Sequence, residues 1–268
     1  MVFRALLLCV VVSAGALTVR AEQTPGSTAT TNHAAYSLDV TATPGPAGMA
    51  ALRVAIKSSF DGTPARRLEI VDEKLLHLFI VRRDQMFFRH LYPTPLPDGS
   101  WETPEQVPPG EYLIAADFKP SGESRQFLHR VVDLRGNFRG DAPAGQTLQL
   151  PATVPTPQVY DVVTNVRIQP LKSDLPAGQP TTLHVMLSRT EDGRPLVNLE
   201  PYLGTGGYML AVKDDLTETV RARASLDDLP VSLLTFDMTL SKAGSYTVWV
   251  EFQRFGEPLA ARLAVTAR

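Results

Sequence analysis

The sequence predicts an all-β protein made of two tandem immunoglobulin-like β-sandwich domains that arose by internal duplication. Residues 52–93 align with residues 183–224 without a gap, at a constant offset of about 131 positions. After a short insertion the match resumes between residues 110–123 and residues 244–257. A repeat of this length indicates duplicated domains rather than stacked solenoid units. Many short strand-like segments separated by turns, with no sustained helical stripe, favour a sandwich.

The first 21 residues predict a secretory signal peptide. Arg4 precedes a short apolar run over residues 5–17, and Val19-Arg20-Ala21 places small residues where a signal peptidase reads. The run is shorter than the roughly 20 apolar residues of a membrane-spanning helix, and an uncleaved anchor is the alternative. We therefore expect a periplasmic or secreted protein with no transmembrane segment after cleavage. Because the only cysteine, Cys9, lies in this segment, the mature chain would hold no disulfide and no thiolate site.

Composition sets the remaining boundaries. Residues 22–35 are polar and lack periodicity, which is typical of a disordered leader. Residues 36–140 are the first predicted sandwich, residues 141–158 a Pro- and Ala-rich linker, and residues 159–268 the second sandwich. The chain has 26 Lys and Arg against 28 Asp and Glu; without the two arginines of the signal peptide the net charge is about −4. That balance argues against nucleic acid as a partner.

The predicted strands follow in the same order in both halves. Residues 52–56 and 183–187 alternate between apolar and polar and end near an Asp-Gly turn. Residues 75–81 form a continuous apolar run, as expected of a central strand. Residues 112–118 and 246–252 complete the set, and each of these two strands follows a Gly-x pair and begins with a tyrosine.

The two tyrosines of Gly110-Glu111-Tyr112 and Gly244-Ser245-Tyr246 suggest a specific feature of immunoglobulin-like folds. In a tyrosine corner, a tyrosine near the start of a late strand bonds through its hydroxyl to an upstream backbone group. The alternative is an ordinary tyrosine at the start of a strand. Because the Gly-x-Tyr motif recurs at equivalent positions, a tyrosine corner is favoured in both halves.

Two histidines are the candidate metal ligands. Folding residues 75–92 into a hairpin that turns around Arg83-Asp84 places His77 directly opposite His90, with Cβ atoms about 4.5–5.5 Å apart. Two imidazoles this close can share a metal ion at roughly 2 Å per bond. Imidazole suits copper, nickel and zinc where thiolates are absent. The alternative is that both histidines are ordinary packing or surface residues.

Two ligands alone make a poor metal site, so further donors would be needed. The candidates are Tyr92, Glu73, Asp72 or water. The second half indicates where the hairpin face points, because its alternate positions hold the apolar residues Met209, Ala211, Val220 and Ala222. If those residues cover the core, the imidazole face points outward or toward the other domain.

The equivalent face of the second half carries a different set of side chains: Tyr208, Arg221 and Arg223. Such a cluster could bind an anionic group or stack on an aromatic ring. The alternative is a polar face in contact with solvent only.

These motifs resemble a family of exported bacterial proteins built from YtkA-like and related heavy-metal-associated immunoglobulin-like modules. In the first half the resemblance rests on His77-Leu78, Phe88-Arg89-His90 and Ala116-Asp117-Phe118. In the second half it rests on Leu199-Glu200-Pro201-Tyr202-Leu203-Gly204, its most specific piece. The resemblance implies an immunoglobulin-like fold and binding of a metal, with copper as the expected ion.

The departures from the family pattern fall on the ligand positions. Tyr92 stands where the family has a second histidine of the first module, and Tyr208 replaces a histidine of the second. Arg221-Ala222-Arg223 replaces a His-x-His pair. Because a guanidinium offers no free lone pair, the second half cannot bind a metal in the manner of the family. Only His77 and His90 remain.

Two functions follow from these residues. The first is an exported, non-enzymatic binding protein with at most one weak copper site at His77, His90 and Tyr92. The second is a metal-free structural or partner-binding protein of the cell envelope, whose partner would be another exported protein. An enzyme is disfavoured, because the sequence lacks HExxH, GxSxG, phosphate-loop and dinucleotide motifs.

Overall fold

The computed structural model describes residues 35–45, 49–65, 67–134 and 166–268. The predicted signal peptide, all but the last residue of the predicted leader and the predicted linker lie outside the described residues. Nearly every described element is a β-strand, which confirms the all-β prediction. Among these residues, no helix has the length and hydropathy needed to cross a membrane.

The described part of the first domain is a sandwich of two sheets. Its strands are β1 (Tyr36–Pro44), β2 (Ala50–Ser58), β3 (Leu68–Glu69), β4 (Leu76–Arg82), β5 (Phe88–Leu91), β6 (Thr94–Pro95), β7 (Trp101–Val107), β8 (Glu111–Pro120) and β9 (Gln126–Asp133). One sheet has the order β1-β2-β7-β6, and the other has the order β3-β8-β4-β5 with β9 also paired to β8.

The second domain repeats this arrangement. Its strands are β10 (Val166–Pro170), β11 (Asp174–Leu175), β12 (Pro180–Arg189), β13 (Leu199–Glu200), β14 (Gly207–Lys213), β15 (Thr219–Ala224), β16 (Leu233–Thr239), β17 (Gly244–Arg254) and β18 (Glu257–Ala267). A short 3₁₀ helix, Leu226–Val231, precedes β16. One sheet has the order β10-β12-β16, and the other has the order β11-β18-β17-β14-β15 with β13 paired to β17.

Each sandwich has its own core between its two sheets. The alternation of β2 and β12 buries one face of each strand, and Leu183, Val185 and Leu187 are fully buried in the second core. Met209 and Val220 point into the same core, as the sequence predicts. The opposite face of β14 and β15 therefore points away from the core of its own domain.

Both predicted tyrosine corners are present. The hydroxyl of Tyr112 donates to the carbonyl of Pro108 at 2.6 Å, and that of Tyr246 lies 2.7 Å from the carbonyl of Lys242 and also contacts the carboxylate of Glu218. In both domains the acceptor lies four residues upstream. This shared hydrogen bond identifies each sandwich as immunoglobulin-like.

The two domains also agree in strand register. Val81 pairs with Phe88 across β4 and β5, and Val212 pairs with Thr219 across β14 and β15, which preserves the sequence offset. Common topology and register are what a duplication would leave behind. The duplication itself stays an inference from the sequence.

A third apolar cluster lies between the domains rather than inside either one. Phe88 of β5 stacks on Trp249 of β17, with ring centroids 4.8 Å apart and an interplanar angle of 9°. The cluster, here called the interface cluster, consists of Phe79, Val81, Phe88, Leu113, Ala115, Tyr202, Tyr208, Leu210, Val212, Leu216, Trp249 and Ala260. The two domains therefore pack sheet against sheet, through the faces that bear the predicted ligand positions.

Candidate functional site

The two histidines come together, but not in the predicted register. His90 lies directly opposite Phe79, two residues further along β4 than His77. The turn is centred one residue later than predicted, because the Asp84 carboxylate accepts from the backbone N–H of Met86 and Gln85 takes a positive φ of 54°. The imidazoles still meet along the diagonal, with Nδ1 of His77 2.9 Å from Nε2 of His90.

A continuous hydrogen-bond chain runs through these imidazoles from one domain into the other. The carbonyl of Val71 can only accept, so Nε2 of His77 carries a hydrogen and donates to it at 2.9 Å. Nδ1 of His77 is then the acceptor for Nε2–H of His90. Nδ1 of His90 lies 2.7 Å from Oε2 of Glu251 in β17, within hydrogen-bond distance.

Both imidazoles are withdrawn from solvent, with 1% of His77 and 3% of His90 exposed. Burial, helped by the charge of the neighbouring His90, lowers the pKa of His77 to about 4. His77 is therefore neutral at pH 7, in agreement with the role of its Nδ1 as an acceptor.

The donors as arranged do not fit the predicted metal site. The nitrogens of His77 and His90 that face each other are joined by a hydrogen bond, and His90 Nε2 carries the hydrogen. The hydroxyl of Tyr92, the predicted third ligand, lies 2.9 Å from that of Tyr202. Its ring only packs edge-on against the two imidazoles. Among the described residues, no three His, Cys, Asp or Glu side chains are grouped so that they could hold a metal ion.

The predicted polar patch is part of the same interface. Tyr208 is fully buried and lies beside His77, with ring centroids 5.7 Å apart. Nε of Arg221 lies 2.8 Å from the carboxylate of Asp117, and Arg223 pairs with Asp72. Both acids belong to the first domain, so these arginines hold the domains together rather than forming an open binding surface.

Arg125 completes this charged network on the side of the first domain. It holds Asp117 through two hydrogen bonds and also pairs with Asp72. Burial opposes ionisation of Asp72, but the charges of Arg125 and Arg223 outweigh it and lower the pKa of this carboxyl. Burial and the nearby Asp72 carboxylate raise the pKa of Tyr208, which keeps its phenol protonated.

Sequence reasoning missed the acids that organise this interface. Asp117 and Glu251 occupy equivalent positions in β8 and β17, between buried apolar neighbours, and they are 0% and 5% exposed. The available signal was an acid in the middle of a strand that is otherwise apolar. A buried carboxylate in such a strand requires a cationic or hydrogen-bonding partner.

Comparison with known proteins adds little to this geometry. The family model described as "Domain of unknown function (DUF8832)" matches residues 158–268, the second domain. No curated protein matches the chain.

Among solved structures, the chain is similar to domains 4 and 5 of the S-layer protein SbsC at 14% identity and a TM-score of 0.24, covering 86% of this chain and 97% of that one. It is also similar to the Escherichia coli adhesin FdeC at 14% identity and a TM-score of 0.26, covering 87% and 64% respectively. A Legionella pneumophila protein of the DUF4785 family has 10% identity and a TM-score of 0.26, with 88% and 57% coverage. Superpositions this weak carry no argument about function.

Proposed function

We propose that this chain is an exported, non-enzymatic envelope protein in which two immunoglobulin-like sandwiches form a single metal-free body with a structural or partner-binding role. One observation carries the proposal. The side chains at the ligand positions of the YtkA-like pattern lie at the interface between the domains, where His77, His90 and Tyr208 are buried and Arg223 is partly exposed. His77 and His90 are hydrogen-bonded into a chain that ends at Glu251, and Arg221 is paired with Asp117.

The energetics of this interface favour a structural role. A buried ion pair contributes little net stability by itself, but loss of one partner leaves a charge without compensation. The interface therefore holds the domains in one arrangement as long as all its members are present. Around the charged residues, the interface cluster removes large aromatic side chains from water, including Trp249 and Phe88.

A weak copper site is the second candidate, and one distance favours it. The two facing imidazole nitrogens are 2.9 Å apart. Two cis ligands of one metal ion, each at roughly 2 Å, stand at about that separation. To bind, the ion would have to replace the hydrogen bond between His77 and His90 and release the proton on His90.

Metal analysis separates the two candidates. The mature protein, purified without a His-tag, is measured by elemental analysis and titrated with copper and with zinc by calorimetry. We expect less than one tenth of an equivalent of bound metal and no saturable binding. One equivalent of copper that is lost in both His77→Gln/His90→Gln and His77→Ala/His90→Ala would overturn the metal-free proposal. The glutamine pair controls for loss of packing in the alanine pair.

A further inference from the structure

The two sheets that meet at the interface share one frame of equivalent positions, set by their hydrogen-bond registers. Three equivalences matter here: His77 with Tyr208, His90 with Arg221, and Asp117 with Glu251. In each domain the base therefore lies on the hairpin strand, β5 or β15, and the acid lies on the late strand, β8 or β17.

Two of the polar contacts across the interface are reciprocal in this frame. His90 of the first domain contacts Glu251 of the second at 2.7 Å. Arg221 of the second domain contacts Asp117 of the first at 2.8 Å. These are the same contact made twice with the domains exchanged, which is the defining property of an isologous interface with two-fold symmetry.

Equivalent residues also touch each other, as they must on a two-fold axis. The rings of His77 and Tyr208 are 5.7 Å apart and inclined by only 26°. Glu73 and Gly204 are equivalent at the same sequence offset, and both have positive φ, 66° and 71°. A Cβ on Gly204 would lie 3.8 Å from Oε1 of Glu73. The pseudo-two-fold axis thus passes between the two members of each of these pairs.

We infer that the sheet face of each domain is an isologous pairing surface, complementary to a second copy of itself. Each face carries both members of the polar contact: His90 and Asp117 on the first domain, and Arg221 and Glu251 on the second. In a pair of identical first-domain faces, His90 of each copy meets Asp117 of the other, so this polar contact is made twice across the axis. Within one chain, the two domains satisfy each other.

The apolar part of the interface supplies the drive for pairing. Phe79 and Leu210 are equivalent, are 0% and 1% exposed, and lie in the interface cluster to which both domains contribute. If substitutions prevent the face of one domain from packing, the face of the other domain becomes an exposed apolar sheet with complementary charges at its centre. Such a surface associates with a matching one. The expected occupant is the same face of a second chain.

The test uses the full mature chain with Leu210→Glu/Arg221→Glu, which places two carboxylates in the second-domain face and should stop it from packing on the first domain. Opening of the interface is followed by a red shift in the emission of Trp249, which is otherwise buried. We expect wild type to remain monomeric. The variant should reach twice the monomer mass as its concentration rises, by light scattering after gel filtration. Hydrogen exchange should show protection of β4 and β5 in this dimer.

The matched control spoils both faces at equivalent positions, with Phe79→Glu/His90→Glu added to the first pair of substitutions. This four-site variant should stay monomeric, with β4 and β5 unprotected. A monomeric Leu210→Glu/Arg221→Glu variant, or a dimer that persists in the four-site variant, would overturn the inference. Hydrogen exchange in β4 and β5 reports on the first-domain face itself, whatever the state of the second domain. The result is independent of whether the protein binds copper.

Discussion

The hairpin sheets of the two domains share a backbone plan but differ in the chemistry of the face they present to each other. Both have the same register, the same tyrosine corner and an acid at the same place in the late strand. The first presents imidazoles, whereas the second presents a phenol and a guanidinium. A neutral imidazole has one donor and one acceptor nitrogen, whereas a guanidinium only donates and is always charged. The difference teaches that one backbone frame can close half of the interface with an imidazole chain and the other half with a permanent ion pair.

The largest expected effect separates the two equivalent acids. Asp117→Asn removes the partner of both Arg125 and Arg221 and should lower the free energy of unfolding by about 3–5 kcal/mol. Glu251→Gln should cost only about 1–2 kcal/mol, because a glutamine amide can still form a hydrogen bond with the His90 imidazole. Urea unfolding at pH 7 measures both, and equal losses would contradict the asymmetry.

A smaller effect should appear on acidification. The pKa of His77 is about 4 in the folded protein and 6.5 in an unfolded chain, so the unfolded state binds the proton first. The free energy of unfolding should therefore fall by roughly 3 kcal/mol as the pH is lowered from 6.5 to about 4. Urea unfolding of wild type and His77→Gln across this window checks it. A loss of the same size in His77→Gln would assign the effect to other groups.

The smallest expected effects test what the domains share. Tyr112→Phe and Tyr246→Phe each remove the hydroxyl of a tyrosine corner, and Tyr246→Phe also removes a partner of the buried Glu218 carboxylate. Each should lower the free energy of unfolding by about 1–3 kcal/mol. Thermal unfolding followed by circular dichroism measures the loss. If only one of the two substitutions destabilises the protein, the corners are not equivalent in energy.

Much of the fold followed from local patterns in the sequence. The alternation in β2 and β12, the core-facing positions Met209 and Val220, and the Gly-x-Tyr corners are all determined by residues close together in the chain. The predicted register of the first hairpin is wrong by two residues, because His90 pairs with Phe79 and not with His77. A hydrogen bond from the backbone N–H of Met86 to the Asp84 carboxylate and the positive φ of Gln85 move the turn, and neither is visible in a hydrophobic pattern.

The site could be predicted only in part, because its partners are far apart in the sequence. That His77 and His90 approach each other follows from one hairpin. That His90 ends at Glu251, 161 residues away, depends on how two separate sandwiches dock. The same holds for the pairing of Arg221 with Asp117, which belong to different domains. Contacts of this kind arise from tertiary packing, which periodicity does not encode.

The interface cluster also has a consequence for the order of events during synthesis. The first domain is complete once β9 has been made, but the strands that cover Phe79 and Phe88 lie near the end of the chain. A ribosome making roughly 5–20 residues per second leaves this aromatic face uncovered for several seconds or more. Nascent chains are therefore most prone to aggregate in that interval, before the last hairpin, β17 and β18, emerges from the ribosome.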